Sequence, residues 1–231
     1  MKLAGKSWMP LLDTIIDEWA GITFPRPVVA LGEFKPTNGC YWCGAEMQSD
    51  VVCACMRARL HWSRVIRLGA YEEPLSDCIL GGKYTAWKDM LEHLGAMLGR
   101  KLRGCVPPNS ILVPIPMPPI RRCFRRINHT GVIAKHASLT SGIPIRRALW
   151  RKECMPQASK SASERTLLHR NSILLRPLPM IKGRNAILID DVLTTGRTLE
   201  VAANKLKSAR VASVRVAVLA VTKMSQNGKK M

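Results

Sequence analysis

The sequence predicts an α/β protein built on a parallel sheet, with a small cysteine-bearing module ahead of it. Three observations carry this. Short, largely apolar runs, Ile111–Pro116, Ala186–Ile189 and Ser213–Val221, alternate with stretches of helical character. Strands buried on both faces read as continuous apolar runs, and alternation with helices is the pattern of a covered parallel sheet. Four cysteines fall within sixteen residues, between Cys40 and Cys55. Finally, the charge is divided: the chain of 231 residues has a net charge of +20, yet residues 94–231 hold 26 basic and 5 acidic residues, net +21. The whole excess lies in the later part, and a domain so basic attracts phosphates on nucleotides, nucleic acid or anionic lipid. A surface tuned only for solubility is the alternative.

Along the chain, residues 1–33 are expected as a helix and tether. Trp8, Leu11, Leu12, Ile15, Ile16 and Trp19 have helical spacing, and Pro10 stands near the helix start. Asp13, Asp17 and Glu18 interrupt any apolar core of a secretion signal. No apolar run approaches the roughly 20 residues of a bilayer span, so a cytoplasmic protein without a membrane span is expected. Residues 34–64 form the cysteine-rich module. Residues 65–105 are a connecting segment whose one predicted helix, Ala86–Leu102, places Trp87, Met90, Leu91, Leu94, Met97 and Leu98 on one side. Residues 106–224 are the main domain. Its predicted elements are a strand at Ile111–Pro116, a helix at Thr130–Thr140 closed by Gly142, and strands at Ile145–Trp150 and Ala186–Ile189. A helix at Thr198–Ser208 and a strand at Ser213–Val221 complete it. Residues 225–231 are expected to fray.

The cysteines read as Cys40-x-x-Cys43, nine residues, then Cys53-x-Cys55. Without a secretion signal, disulfides are the less expected use. Two close pairs can supply four thiolates to one tetrahedral zinc of structural type, which leaves no open position for substrate. Gly39 and Gly44 flank the first pair, where a tight turn favours glycine. The alternative is a reduced, metal-free cluster.

Ile187–Leu199, ILIDDVLTTGRTL, carries the most specific signal. A buried strand ends in Asp190 and Asp191, a Thr/Gly turn follows, and then a helix. In open α/β sheets ligands bind at the carboxyl ends of the strands. Leu193, Thr194, Thr195, Gly196, Arg197 and Thr198 offer consecutive N–H groups, hydroxyls and a helix N-terminus, the parts that hold a phosphate monoester. Two acids beside a phosphate site need another role. Accepting hydrogen bonds from vicinal sugar hydroxyls is one, and holding magnesium is a second. A ribose 5-phosphate satisfies both halves. The plainer alternative is a helix capped by Thr198 after a solvated acidic turn. Neither G-x-G-x-x-G nor G-x-x-x-x-G-K-[ST] occurs, which disfavours dinucleotide dehydrogenases and P-loop NTPases.

Four apolar residues, two acids, two apolar residues and T-T-G-x-T closely resemble the phosphoribosyl pyrophosphate motif of type I phosphoribosyltransferases. From the cysteine cluster to about Val221 the chain resembles the ComF/GntX family of that superfamily. Lys83-Tyr84 and Leu94-Gly95 to Leu98 echo one family segment, and Pro114-Ile115-Pro116 with Arg121 to His129 echo a second. Pro156-Gln157, Glu164-Arg165 and Asn171 echo a third. Arg126, Ile127 and His129 stand where the family has Gly, Phe and usually Gln. The resemblance implies a type I phosphoribosyltransferase fold preceded by a zinc-ribbon-like module, and a link to DNA uptake or use.

In the superfamily a nucleophile displaces pyrophosphate from the ribose with magnesium present. The resemblance therefore implies magnesium with phosphoribosyl pyrophosphate, and ribose contacts by Asp190 and Asp191. The backbone of Val113–Pro116 is expected near the pyrophosphate, with charge from Arg121, Arg122, Arg125 and Arg126. A polar loop over Arg151–Asn171, with Lys152, Gln157 and Arg165, is the candidate cover of the site, while Lys160 reads equally well as plain surface. Nothing in the sequence names an acceptor. Three functions stand: a ribose-phosphate-binding protein of DNA uptake, a metabolic phosphoribosyltransferase of nucleotide salvage, and a non-catalytic single-stranded-DNA-binding accessory. Competence-machinery proteins are partners implied by the resemblance. Aromatic side chains for base stacking are few, Phe124 and Trp150 being the ones after Trp87.

Overall fold

The computed structural model describes residues 40, 42–44, 53, 60–83, 88–117, 127–152, 172–177 and 180–222. The expected N-terminal helix, the frayed tail and most of the covering loop lie outside these residues.

A four-stranded, all-parallel sheet forms the centre. Its strands are β1 (Val65–Ala70), β2 (Ser110–Pro114), β5 (Asn185–Leu193) and β6 (Ser213–Val221), in the order β1-β6-β5-β2. The strands β3 (Leu149–Arg151) and β4 (Ile173–Leu175) pair antiparallel in a separate two-stranded sheet. Four helices are described: α1 (Leu75–Gly81), α2 (Lys88–Leu102), α3 (His129–Ser141) and α4 (Arg197–Ser208).

The continuous apolar runs become strands covered on both sides, as parallel sheets require. Side chains of a strand alternate between faces. Ile187 and Ile189 of β5 pack with Leu91, Leu94 and Leu98 of α2 and Ile133 of α3. Ala186 and Leu188 pack on the other face with Leu199, Ala202, Ala203 and Leu206 of α4. Each of these side chains is 2% exposed or less. The result is three layers, helices on each side of the sheet.

Two elements differ from expectation. The segment 65–105, read as a connection with one helix, also supplies β1 and α1 to the same sheet and core. The run VIRLGA contains Arg67 and two small residues, which dilute the apolar signal. Ile145–Trp150 is not one strand of the main sheet. Ile145 forms a single parallel bridge with Leu112 at the free edge of β2, and the chain then turns away so that only Leu149–Arg151 is a strand. Arg146, Arg147 and Trp150 are exposed, a composition unsuited to a sheet covered on both faces.

Helix α3 begins at Asn128, whose side chain accepts from the Gly131 N–H at 3.2 Å, and ends at Gly142 with φ 77°. These are the usual cap and left-handed stop. Helix α2 crosses α3 at Gly95 and Gly99. A Cβ at Gly95 would sit 2.8 Å from the Ile133 carbonyl oxygen, and one at Gly99 2.6 Å from that of Ala137. The two glycines therefore set how closely the helices approach.

Candidate functional site

The acid pair lies where the sequence places it, at the carboxyl end of the central strand β5, with β6 and β2 on either side. Each carboxylate is held by the backbone. The Asp191 N–H donates to Asp190 Oδ1 at 3.0 Å, and the Val192 N–H donates to Asp191 Oδ1 at 2.7 Å. The second oxygen of Asp191 meets the Lys83 ammonium at 3.0 Å, both side chains being 21% exposed.

The two acids differ electrostatically. Burial, and then the Asp191 charge, hold Asp190 well above the ordinary carboxylate range. Burial alone would also raise Asp191, but the Lys83 ammonium and its hydrogen bond outweigh it and hold Asp191 below that range. The two side chains also hydrogen-bond each other, which favours the proton on Asp190.

After Leu193 the chain turns through exposed Thr194 and Thr195 to Gly196. Gly196, not Thr198, occupies the cap position of α4, which starts one residue earlier than expected. Its φ of 71° is left-handed, a conformation natural to glycine. No side chain caps α4. The first N–H groups of a helix lack intrahelical acceptors, and with the helix dipole they attract an anion. Leu193 to Thr198, the expected phosphate loop, thus form a turn into a helix N-terminus directly after the acid pair.

Residues that no motif singled out support this loop. A Cβ on Gly196 would lie 3.3 Å from Cη2 of Trp62. The Trp62 indole N–H donates to the Trp42 carbonyl at 2.8 Å. Glu200, in the first turn of α4, accepts from the His61 N–H at 3.2 Å and pairs with its ring Nδ1. Residues 61–62 therefore connect the cysteine module to the phosphate loop.

In that module the sulfurs of Cys40, Cys43 and Cys53 lie within 4.8 Å of one another, with Cys43 and Cys53 at 3.5 Å. The Gly44 N–H donates to the Cys40 carbonyl at 2.8 Å, and Gly44 has φ 73°, a tight turn around the first pair. Thiolates bound to one zinc at about 2.3 Å stand about 3.8 Å apart at tetrahedral angles. The three-cysteine cluster can therefore hold a metal ion. Cys55, the expected fourth ligand, lies outside the described residues. Zinc is the metal that suits such a donor set. Metal analysis of the purified protein is expected to find about one zinc per chain, and Cys40→Ser/Cys43→Ser to lose it; a metal-free native protein would end the assignment.

A cleft of about 600 Å³ opens at the end of β2. Pro114, Ile115 and Pro116 line it, together with Lys135, Arg147 and Arg176. The Ile115 N–H donates to the Ile189 carbonyl at 2.9 Å, which ties this edge to the residue before Asp190. Arg121, Arg122, Arg125, Arg126, Gln157, Lys160 and Arg165 lie outside the described residues, and Lys152 is exposed at the end of β3.

A parallel α/β sheet with an acid pair and an uncapped, glycine-started helix at its carboxyl edge defines a phosphoribosyltransferase-fold protein. The phosphoribosyl transferase domain family matches residues 133–231, which include the acid pair, the loop and α4. Its curated relatives support the resemblance to the ComF family. The chain is 27% identical over 198 residues to competence protein F of Haemophilus influenzae, covering 80% of this chain and 85% of the relative. It is 26% identical over 195 residues to DNA utilization protein YhgH of Escherichia coli, covering 77% and 81%. Among solved structures it is similar to a purine phosphoribosyltransferase from Pyrococcus horikoshii, with 19% identity, a TM-score of 0.40, and coverage of 60% of this chain and 84% of the other. No helix among the described residues is long and apolar enough to cross a membrane.

Proposed function

We propose that this chain binds a ribose 5-phosphate, with phosphoribosyl pyrophosphate as the activated form. The observation that carries the reading is the order of groups at the end of β5: two adjacent carboxyls, the second paired with Lys83, then an uncapped helix N-terminus reached through a left-handed glycine. The 5-phosphate accepts from the N–H and hydroxyl groups of Leu193 to Thr198. The ribose hydroxyls face Asp190 and Asp191. A protonated Asp190 can donate as well as accept, while charged Asp191 only accepts.

A pyrophosphate on the ribose would extend toward the end of β2, where Lys135, Arg147 and Arg176 stand. Magnesium, when it accompanies that ligand, neutralises the pyrophosphate's charge. Whether a nucleophile then enters depends on an acceptor that the chain's own residues do not name.

A second reading, contact with single-stranded DNA, is favoured by the same cleft. Trp150 lines it and is 39% exposed, beside Arg147, Arg151 and Arg176. Cations with one stacking surface suit a salt-sensitive, sequence-tolerant strand. The names of the two curated relatives add support, and proteins of a competence or DNA-use machinery are the corresponding partners.

One titration addresses both readings. Phosphoribosyl pyrophosphate with magnesium is expected to bind the native protein, and to bind Asp190→Asn/Asp191→Asn about 100-fold more weakly, since hydrogen bonds to charged groups are lost. Equal affinity would sink the ribose assignment. A labelled oligonucleotide is expected to bind both proteins, weakening steeply with salt; no binding at low salt removes the DNA reading alone.

A further inference from the structure

We infer that Lys83 is a resident counter-cation of the acid pair, occupying the place a divalent ion would otherwise take beside Asp191, so that the ribose 5-phosphate end of the ligand binds without metal. This rests on the ribose reading and deepens it, because it assigns how the site tolerates an anionic ligand next to two carboxyls.

The geometry is that of a positioned group. The Lys83 N–H donates to the Leu80 carbonyl at 3.0 Å, closing the end of α1. Its carbonyl lies 3.1 Å from Nε2 of His129, which is 3% exposed at the start of α3. With both backbone groups held, the side chain reaches Asp191 Oδ2 at 3.0 Å from a half-buried position. A lysine held this way loses less rotamer freedom on pairing than a surface lysine does.

The charge argument decides the role. Two adjacent carboxylates would carry up to two negative charges a few ångströms from a phosphate dianion. At close range in a half-buried site that repulsion is costly. Among the described residues, the charged or titratable groups at the pair are Asp190, Asp191, Lys83 and, through the Lys83 backbone, His129. Lys83 is the one cation whose side chain meets the pair among the described residues. Asp191 Oδ1 receives the Val192 N–H and Oδ2 receives Lys83, so this carboxylate is already satisfied in the way a metal would satisfy it. Its remaining lone pairs can accept from sugar hydroxyls. In an electrostatic sense the lysine stands in for magnesium at this end, leaving any magnesium to the pyrophosphate.

Ribose 5-phosphate, which has no pyrophosphate to chelate magnesium, isolates the effect. With the native full-length protein its dissociation constant is expected to be the same, within about twofold, in EDTA or in millimolar magnesium. Lys83→Met is expected to bind about 10- to 100-fold more weakly in EDTA, the loss of one charged hydrogen-bonded partner, and to recover when magnesium is added. Lys83→Arg keeps the native, metal-independent behaviour. Recovery by a cation and rescue by arginine are outcomes that a purely structural role would not give. A magnesium requirement in the native protein, or Lys83→Met binding as tightly as native in EDTA, overturns the inference; so does a folded Lys83→Met protein that magnesium fails to restore. A second arm needs no sugar. Manganese followed by its paramagnetic signal is expected to bind Lys83→Met but not the native protein, and Lys83→Met/Asp191→Asn should lose it; equal manganese binding by native and Lys83→Met proteins overturns the inference. Failure of native protein to bind ribose 5-phosphate counts against the ribose reading, and the manganese arm still decides the role of Lys83.

Discussion

Gly99→Leu should unfold this protein well before the native chain does. At Gly99 a Cβ would come within 2.6 Å of the Ala137 carbonyl oxygen and 2.8 Å of the Thr140 Cβ. The first obstacle is helix backbone, which cannot swing aside like a flexible side chain. Helix α2 must lift from α3, and the buried contacts of Leu91, Leu94, Leu98 and Ile133 with the sheet loosen together. Overpacking a tight core site costs about 1–3 kcal/mol, and this site falls at the upper end. For a domain of this size about 3 kcal/mol corresponds to a Tm lower by roughly 6–12 °C. Gly99→Ala is the milder probe. Its gain of about 1 kcal/mol in helix propensity opposes the same backbone clash, so the fall in Tm should be smaller. Thermal melts followed by circular dichroism test this, and a Gly99→Leu protein melting within a degree or two of native would refute the close-packing account.

The second large effect separates two neighbouring aspartates by the sign of their contribution to stability. Asp190 holds its proton more tightly in the folded chain than in the unfolded one. Its favourable contribution is complete below the unfolded value of about 3.9. It is lost as pH rises through the raised folded value, above which a buried carboxylate is left to be accommodated. The amide introduced by Asp190→Asn cannot ionise. That variant should therefore match native stability near pH 4 and exceed it increasingly toward pH 8. Asp191 behaves oppositely. Lys83 lowers its folded value despite burial, so its contribution is present above about 3.9 and disappears as pH falls through the lowered value. Asp191→Asn should be less stable than native at pH 7, because it leaves the Lys83 ammonium half-buried opposite a neutral amide. Urea denaturation of both variants between pH 4 and pH 8 is the measurement. Shifts of the same sign for the two variants at pH 7 would contradict the assigned proton positions. A gain in stability from Asp190→Asn with a loss of ligand affinity is the trade expected of a binding residue held at an energetic cost.

Much of the candidate site was legible because its chemistry is local. A buried strand, two acids and a Thr/Gly turn before a helix are contiguous, so Ile187–Leu199 describes the central part of the candidate site. The parallel sheet was legible in the same way, since burial on both faces leaves continuous apolar runs at β5 and in most of β6. The cluster of Cys40, Cys43 and Cys53 also followed from spacing.

What failed was long-range. β1 was missed because its apolar run is short and holds Arg67, and it is a strand only because it pairs with β6 about 150 residues later. Ile145–Trp150 was overextended because its β-forming residues do not reveal which sheet they join. The helix start at Arg197, one residue before the expected Thr198, depends on a backbone angle at Gly196 that the residue type permits but does not impose.

The sequence by itself determined that an acid pair precedes a phosphate-type loop at the end of a buried strand, since every part of that statement involves neighbours in the chain. Only the tertiary structure decided that the pair is already half neutralised. Lys83 lies more than a hundred positions earlier, in the near-neutral part of the chain, where charge counting alone gave no reason to look. It reaches Asp191 because α1 ends beside β5 and His129 holds the turn. Electrostatic interaction depends on distance in space, and chain folding sets that distance without regard to separation in sequence.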